Sequence, residues 1–198
     1  MAGKKQFDMD TVLDAAMIQF WRAGYADTSL DDLSRVTGLN RSSIYSSLGD
    51  KDRLFLRCLD RYAARYGDKY DAALACAAPE PLAAVRAFFA VTLDRIADPG
   101  LPDGCLIAQS AMAVPVLSPA VAAHAKEALG FQRSRLRAAL KAGRLADQDA
   151  DAFAEHIAAV NQSLAVMSRA GAGPAQLSAI VGVTVEALSH ALGAAGRA

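Results

Sequence analysis

Between Thr28 and Leu54 the chain reads TSLDDLSRVTGLNRSSIYSSLGDKDRL, and no other run restricts the fold as much. Leu30, Leu33 and Val36 fall at i, i+3 and i+6, an apolar stripe on a short helix that Thr28 or Ser29 can cap. Gly38 breaks that pattern, as a turn residue of positive φ does. Leu39 returns to the core, and Ile44 and Leu48, four apart, anchor a second helix from one face. The other face carries Asn40, Arg41, Ser42, Ser43, Ser46 and Ser47, with Tyr45 alongside. Small hydrogen-bonding groups and one guanidinium suit a helix that enters the major groove of DNA. Spacing by itself also fits a plain αα-hairpin with a polar face. The flanks favour helix-turn-helix. Upstream, Val12, Leu13, Ala16, Met17 and Phe20 mark a helix that closes at Gly24-Tyr25. Downstream, Gly49-Asp50-Lys51 opens a long helix with Phe55, Leu59, Tyr62 and Tyr66 on one side.

From Asp10 to Phe55 the chain resembles the N-terminal DNA-binding domain of the tetracycline-repressor (TetR) family of one-component bacterial regulators. Ala15-Ala16, Phe20, Gly24-Tyr25, Thr28-Ser29-Leu30, Leu33, Gly38, Tyr45, Lys51 and Leu54 carry the resemblance at the family's spacing. It departs at Leu48, where the family usually has phenylalanine, a core position where packing changes more than function. The resemblance implies an all-α chain: a three-helix DNA-binding domain at 1–55, then a ligand-binding and dimerisation domain at 56–198. On the reading helix, Arg41 and Ser42 are expected at base edges with Ser43 nearby, because a guanidinium can bind guanine bidentately. Tyr45, Lys51 and Thr28 are expected on phosphates.

Charge limits how DNA could be held. The 198 residues carry a formal net charge of zero, which excludes a broad basic surface. Basic residues gather locally, as Arg35, Arg41, Lys51, Arg53, Arg57, Arg61 and Arg65, whereas Asp8, Asp10, Asp14, Asp27, Asp31 and Asp32 make the first helices acidic. Contact with operator DNA is therefore expected to be local and assisted by dimerisation. Met1 to Gln6 is a short polar tail with Lys4 and Lys5, without the pattern of a secretion signal. No apolar run is expected to reach the roughly 20 residues that span a bilayer. A cytoplasmic location and no membrane partner follow as expectations. Cys58, Cys76 and Cys105 are odd in number and lack C-x-x-C spacing, so neither a disulfide framework nor a metal site is indicated.

Beyond the fourth helix, Ala77-Ala78-Pro79-Glu80-Pro81 is a break, and Leu82, Val85, Phe88, Phe89, Leu93 and Ile96 form a helical stripe ending at Asp98-Pro99-Gly100. Cys105 to Val114 is nearly all apolar, with Gln109 and Ser110 embedded. An amphipathic helix follows from about Ala120 to Lys141. Two last helices, Ala150 to Arg169 and Pro174 to Leu192, are apolar on more than one face and demand burial in a core or an interface. By resemblance, these two pair with their two-fold mates in a four-helix bundle, making a homodimer. The run Asn161 to Val166, then Arg169 to Ala172, is similar to the end of many members, although Gln162-Ser163 stands where glycine is common.

An enzyme needs a converging nucleophile, base and orienter. His124, His156 and His190 lie on three helices, with no H-E-x-x-H, G-x-S-x-G or phosphate-binding glycine loop, so no catalytic residue and no cofactor is expected. A small-molecule effector site is expected instead from polar groups inside apolar segments: Cys105, Gln109, Asn161 and Gln162, with Phe88, Phe89, Met112, Phe131 and Met167 as walls. Cys105 has a second reading. It opens a helix, where the dipole favours thiolate, and its Gly-Cys-Leu setting looks like an element of one TetR branch. Three functions stay open: a repressor released by an apolar effector, a thiol sensor acting through Cys105, and a helical interaction protein that no longer binds DNA.

Overall fold

The computed structural model describes residues 8–143 and 145–195, with side chains through 193; the polar tail with Lys4 and Lys5 lies outside them. Every regular element among the described residues is helical, as expected. They run α1 (Met9–Ala23), α2 (Leu30–Thr37), α3 (Arg41–Leu48), α4 (Lys51–Ala77), α5 (Pro81–Ala97), α6 (Leu106–Met112), a 3₁₀ turn (Val114–Val116), α7 (Pro119–Ala142), α8 (Asp147–Arg169) and α9 (Pro174–Ala195).

Local chemistry sets the first boundaries. Ser29 caps α2 in a reciprocal box with Asp32: the Asp32 amide donates to Ser29 Oγ at 3.1 Å and the Ser29 amide to Asp32 Oδ2 at 3.0 Å. That box, with Arg35, holds the Asp32 carboxyl down to about 2. Gly38 turns the chain at φ 69, a left-handed conformation that costs any Cβ-bearing residue. Asn40 then caps α3 by accepting from the Ser43 amide at 2.8 Å, so it is a cap before it is a reader. Asp50 caps α4 in the same way, accepting from the Arg53 amide at 2.8 Å.

A single contiguous core runs from Val12 in α1 to Leu188 in α9. Its aromatic part joins α1 to α4. Phe20 and Phe55 lie 4.7 Å apart, and Trp21 meets Tyr62 edge-on at 4.9 Å. Arg61 clasps Asp14 (2.6 Å) and Asp10 (2.7 Å), and Arg65 also reaches Asp14. α4 has 27 residues, roughly 40 Å of helix, and the boundary expected at 55/56 falls inside it. Deeper in, Tyr70, Thr92, Asn161 and Gln132 form a hydrogen-bonded chain of 2.7, 2.5 and 2.9 Å that links α4, α5, α8 and α7.

One expectation about the last helix needs correction. Pro174–Gly193 has mean hydropathy 1.3 over its most apolar stretch, long and apolar enough to cross a bilayer, and only 22% of that stretch is buried. Scattered Ser, Thr and Glu interrupt its apolar residues, yet the mean stays that high. Leu177, Val185 and Leu188 face the protomer's own core, whereas Val183 is 70% exposed. An unpartnered face is left open along α9.

Candidate functional site

On α3, Arg41, Ser42, Tyr45, Ser46 and Ser47 are exposed and Ser43 is half-buried, while Ile44 and Leu48 root the helix in the core. The polar face foreseen for this helix is therefore presented to solvent. Arg41 is not free, however. Its Nε and Nη2 donate to the two oxygens of Asp31 on α2, at 2.8 and 2.6 Å. The guanidinium holds the Asp31 carboxyl below the usual carboxylate range. Both side chains are open to water, so the pair is weak and exchangeable, yet it holds the guanidinium at the edge of the reading face.

Lys51 begins α4 with its Nζ 4.3 Å from the centre of the Tyr25 ring, a cation–π seat. Partial burial pushes its ammonium down, against the nearby Asp52 and Asp27. Tyr25 in turn donates to Asp52, and burial followed by that carboxylate raises its hydroxyl to about 12. Thr28 is a correction. It is fully buried and its Oγ1 donates to the Gly24 carbonyl at 2.7 Å, so its side chain cannot meet a phosphate. The exposed hydroxyl at that helix start belongs to Ser29.

The C-terminal half offers several small cavities instead of one chamber. A space of about 20 Å³ lies among Tyr62, Tyr66, Tyr70, Ile107, Phe131 and Gln132, and another of about 10 Å³ among Cys105, Ile107, Leu129, Gln132, Asn161 and Gln162. A more open groove of about 280 Å³ runs past Ala108, Met112, Leu129, Gln162 and Val166. A fourth space, about 180 Å³, lies where Gly24, Tyr25 and Phe55 meet Leu106, Gln109 and Ser110.

The expected ligand residues divide accordingly. Cys105, Asn161 and Gln162 come together around one small cavity. Asn161 is buried with both amide atoms bonded, to Thr92 and Gln132. Phe131 and Met112, 44% and 60% exposed, sit at cavity mouths. Gln109 faces the opposite way from Asn161, toward the seam with α1, and its Oε1 is buried without a partner. Phe88 and Phe89 are corrections: both are fully buried, Phe88 stacks on Tyr70 at 4.6 Å, and neither borders these cavities. Met167 packs against the core and borders none of them either.

Sequence reasoning missed the most unusual side chain of this half. Arg95 is only 6% exposed, donates to the Gly104 carbonyl, and lies 5.7 Å from the ring centres of both Trp21 and Tyr66. No carboxylate pairs with it among the described residues; its neighbours are Tyr62, Cys105, Tyr70 and Tyr66. Burial pushes the Tyr62 hydroxyl well up, so it faces this cation as a neutral group. A signal existed, since Arg95 follows Phe88 and Thr92 on the inward stripe of α5. The histidines stay apart: His124 lies 2.8 Å from Asp60, while His156 and His190 are exposed.

Residues 12–58 match the family described as bacterial regulatory proteins, tetR family, and residues 81–181 match the tetracyclin repressor-like C-terminal domain. The HTH-type transcriptional repressor ComR of Escherichia coli K12 is 30% identical over 186 residues, covering 91% of this chain and 89% of its own. Among solved structures, a cysteine-substituted form of the TetR family regulator CifR, complexed with a 26-base-pair operator DNA, superposes with a TM-score of 0.82 at 28% identity. That match covers 91% of this chain and 96% of CifR. A TetR family regulator from Agrobacterium tumefaciens gives a TM-score of 0.79 at 27% identity, covering 89% and 95%.

Proposed function

Because the chain belongs to the TetR family of bacterial regulatory proteins, we propose that it is a homodimeric repressor that binds a pseudo-palindromic operator and is released by a small apolar effector. The observation that carries this reading is α4. It starts at the N-cap beside the reading head and continues unbroken to the tyrosines that wall the inner cavity. Head and cavity are thus built on one rigid element. We take residues 1–55 as the DNA-binding part and 56–198 as the effector and dimer part, sharing that helix. The role is non-enzymatic and cytoplasmic, with double-stranded DNA and a second copy of the chain as partners. The open face of α9, together with α8, supports the dimer.

The inner cavities hold tens of Å³, whereas ligand pockets run to several hundred. An effector seated in these inner spaces therefore has to part α7 from α4, α6 and α8. It can do so only by binding the expanded state more tightly than the compact one, and that difference is what lowers DNA affinity. Arg41, Ser42 and Ser43 read bases, and Tyr45 and Lys51 hold phosphates. The test is DNA binding to the gene's own upstream region across a salt series. Lys51→Ala should weaken binding to every sequence and reduce the slope of log K against log salt by about 1. Unchanged affinity and slope would rule out this docking. Failure of the wild type to bind at all would leave the helical interaction protein.

One observation favours a second reading, release through Cys105. The buried Arg95 cation donates to the carbonyl of Gly104, the residue before Cys105, and so places a positive charge in the loop that carries the thiol. Membership of the Gly-Cys-Leu branch would fit this reading. Cys105→Ser should then keep operator affinity but lose release by electrophiles or oxidants. Retained release in that variant would return the response to the non-covalent cavity.

A further inference from the structure

The C-terminus of α1 leaves carbonyls that its own helix cannot satisfy. Gly24 answers the Phe20 carbonyl at 2.7 Å. The next two are answered from the far end of the chain: Arg169 Nη1 donates to the Trp21 carbonyl at 3.1 Å and Nη2 to the Arg22 carbonyl at 2.9 Å. Arg169 is the last residue of α8, so its charge stands between two helix C-termini, both negative ends of helix dipoles. Its planar fork reaches two successive carbonyls, which a lysine ammonium does less well.

The joint has a second layer. Trp21 Nε1 donates to the Asp103 carbonyl at 3.2 Å, and Arg95 holds the carbonyl of Gly104. Gly104 sits at φ 83 against the α8 backbone and the Arg169 stem; a Cβ there would lie 3.3 Å from the Ala165 carbonyl and 3.5 Å from Arg169. The loop before Cys105 is therefore clamped between α1, α5 and α8. This joins α8 to the reading head directly, without passing through α4.

We propose that Arg169 is a positioning residue that sets the spacing of operator half-sites the dimer accepts, by tying each reading head to the dimerisation helix. The proposal rests on the dimeric-repressor reading above. Two heads held at fixed orientation to α8 accept one separation; heads whose joint to α8 has lost the two Arg169 bonds pivot there and accept several. An operator selected by the wild type from a randomised DNA pool serves as probe, with one or two base pairs inserted or removed at its centre. For the wild type, each change should cost thirty-fold or more. Arg169→Ala should remain dimeric, lose about ten-fold at the selected spacing, and vary less than three-fold across the series. Arg169→Lys, which keeps the stem and the charge, should fall between them. If Arg169→Ala does not fold, Arg169→Lys with Trp21→Phe, which removes the Asp103 bond, carries the same measurement. A spacing profile identical to wild type in folded, dimeric variants would overturn the proposal. A wild type that is monomeric or binds no DNA would overturn the repressor reading along with it.

Discussion

Val183→Glu is expected to split the dimer and abolish operator binding while the protomer stays folded. Val183 is 70% exposed on α9, so a carboxylate there reaches water in the lone protomer. In the two-fold bundle proposed for α8 and α9 it would be buried on both protomers, and an unpaired carboxylate there costs several kcal/mol. A lone head is left with affinity in the non-specific range, about 10⁻⁴–10⁻⁶ M, against about 10⁻⁸ M or tighter for a paired one. The loss is therefore a hundred-fold or more. Leu188→Glu should behave differently. Leu188 is fully buried inside its own protomer, so a charge there unfolds the chain instead of separating two folded ones. Sedimentation velocity and circular dichroism on both variants separate these outcomes. A wild type that sediments as a monomer at micromolar concentration would refute the dimer.

Arg41→Ala is expected to relax sequence preference at one base pair of each half-site, by about 1–3 kcal/mol of discrimination. Its partner complicates the affinity. Without Arg41, the Asp31 carboxylate loses both of its bonds and faces the DNA as a bare negative charge, so binding to all sequences should weaken as well. Asp31→Asn should do the reverse, freeing the guanidinium and tightening binding to specific and random DNA alike by a few-fold. The double variant should regain general affinity and not preference. A base-by-base competition series on the four proteins forms the cycle that isolates the pair. If Arg41→Ala kept full preference, the reading contact would have to lie with Ser42 or Ser43.

Much of this architecture is written in local sequence. Ser29 with Asp32, Asn40 and Asp50 announce three helix starts, and Gly38 announces the turn between two of them. The inward stripes of α1 and α4 could be read off because polar residues mark their other faces. Periodicity loses its phase in α9, where nearly every position is apolar or small, so Val183 and Leu188 could not be told apart. Phe88 and Phe89 have the composition of either a cavity wall or a core, and only the ring of Tyr70 against Phe88 decides it. Thr28 and Ser29 are equivalent as caps until the Gly24 carbonyl claims one of them. Arg169 lies beyond sequence reasoning for a different reason. Its partners are main-chain carbonyls 148 and 147 residues away, and a carbonyl leaves no mark in the residue type that carries it.

The unbroken α4 also bears on how the molecule comes apart. Phe20 and Trp21 of the reading head complete their packing with Phe55, Tyr62 and Tyr66, which lie along the same helix on its way to the cavity. A cut at 55/56 would leave Phe55 with Phe20 but strip Trp21 of both its ring partners, Tyr62 and Tyr66. The two halves are divisions of labour and not of folding: each lends the other the surface that keeps it native. Heat or urea should therefore melt the protomer in one cooperative step, and the head should have no melting point of its own. Any molecule that favours one form of the protomer at one end favours it throughout, so the proposed effector and an operator would be weighed on a single thermodynamic scale.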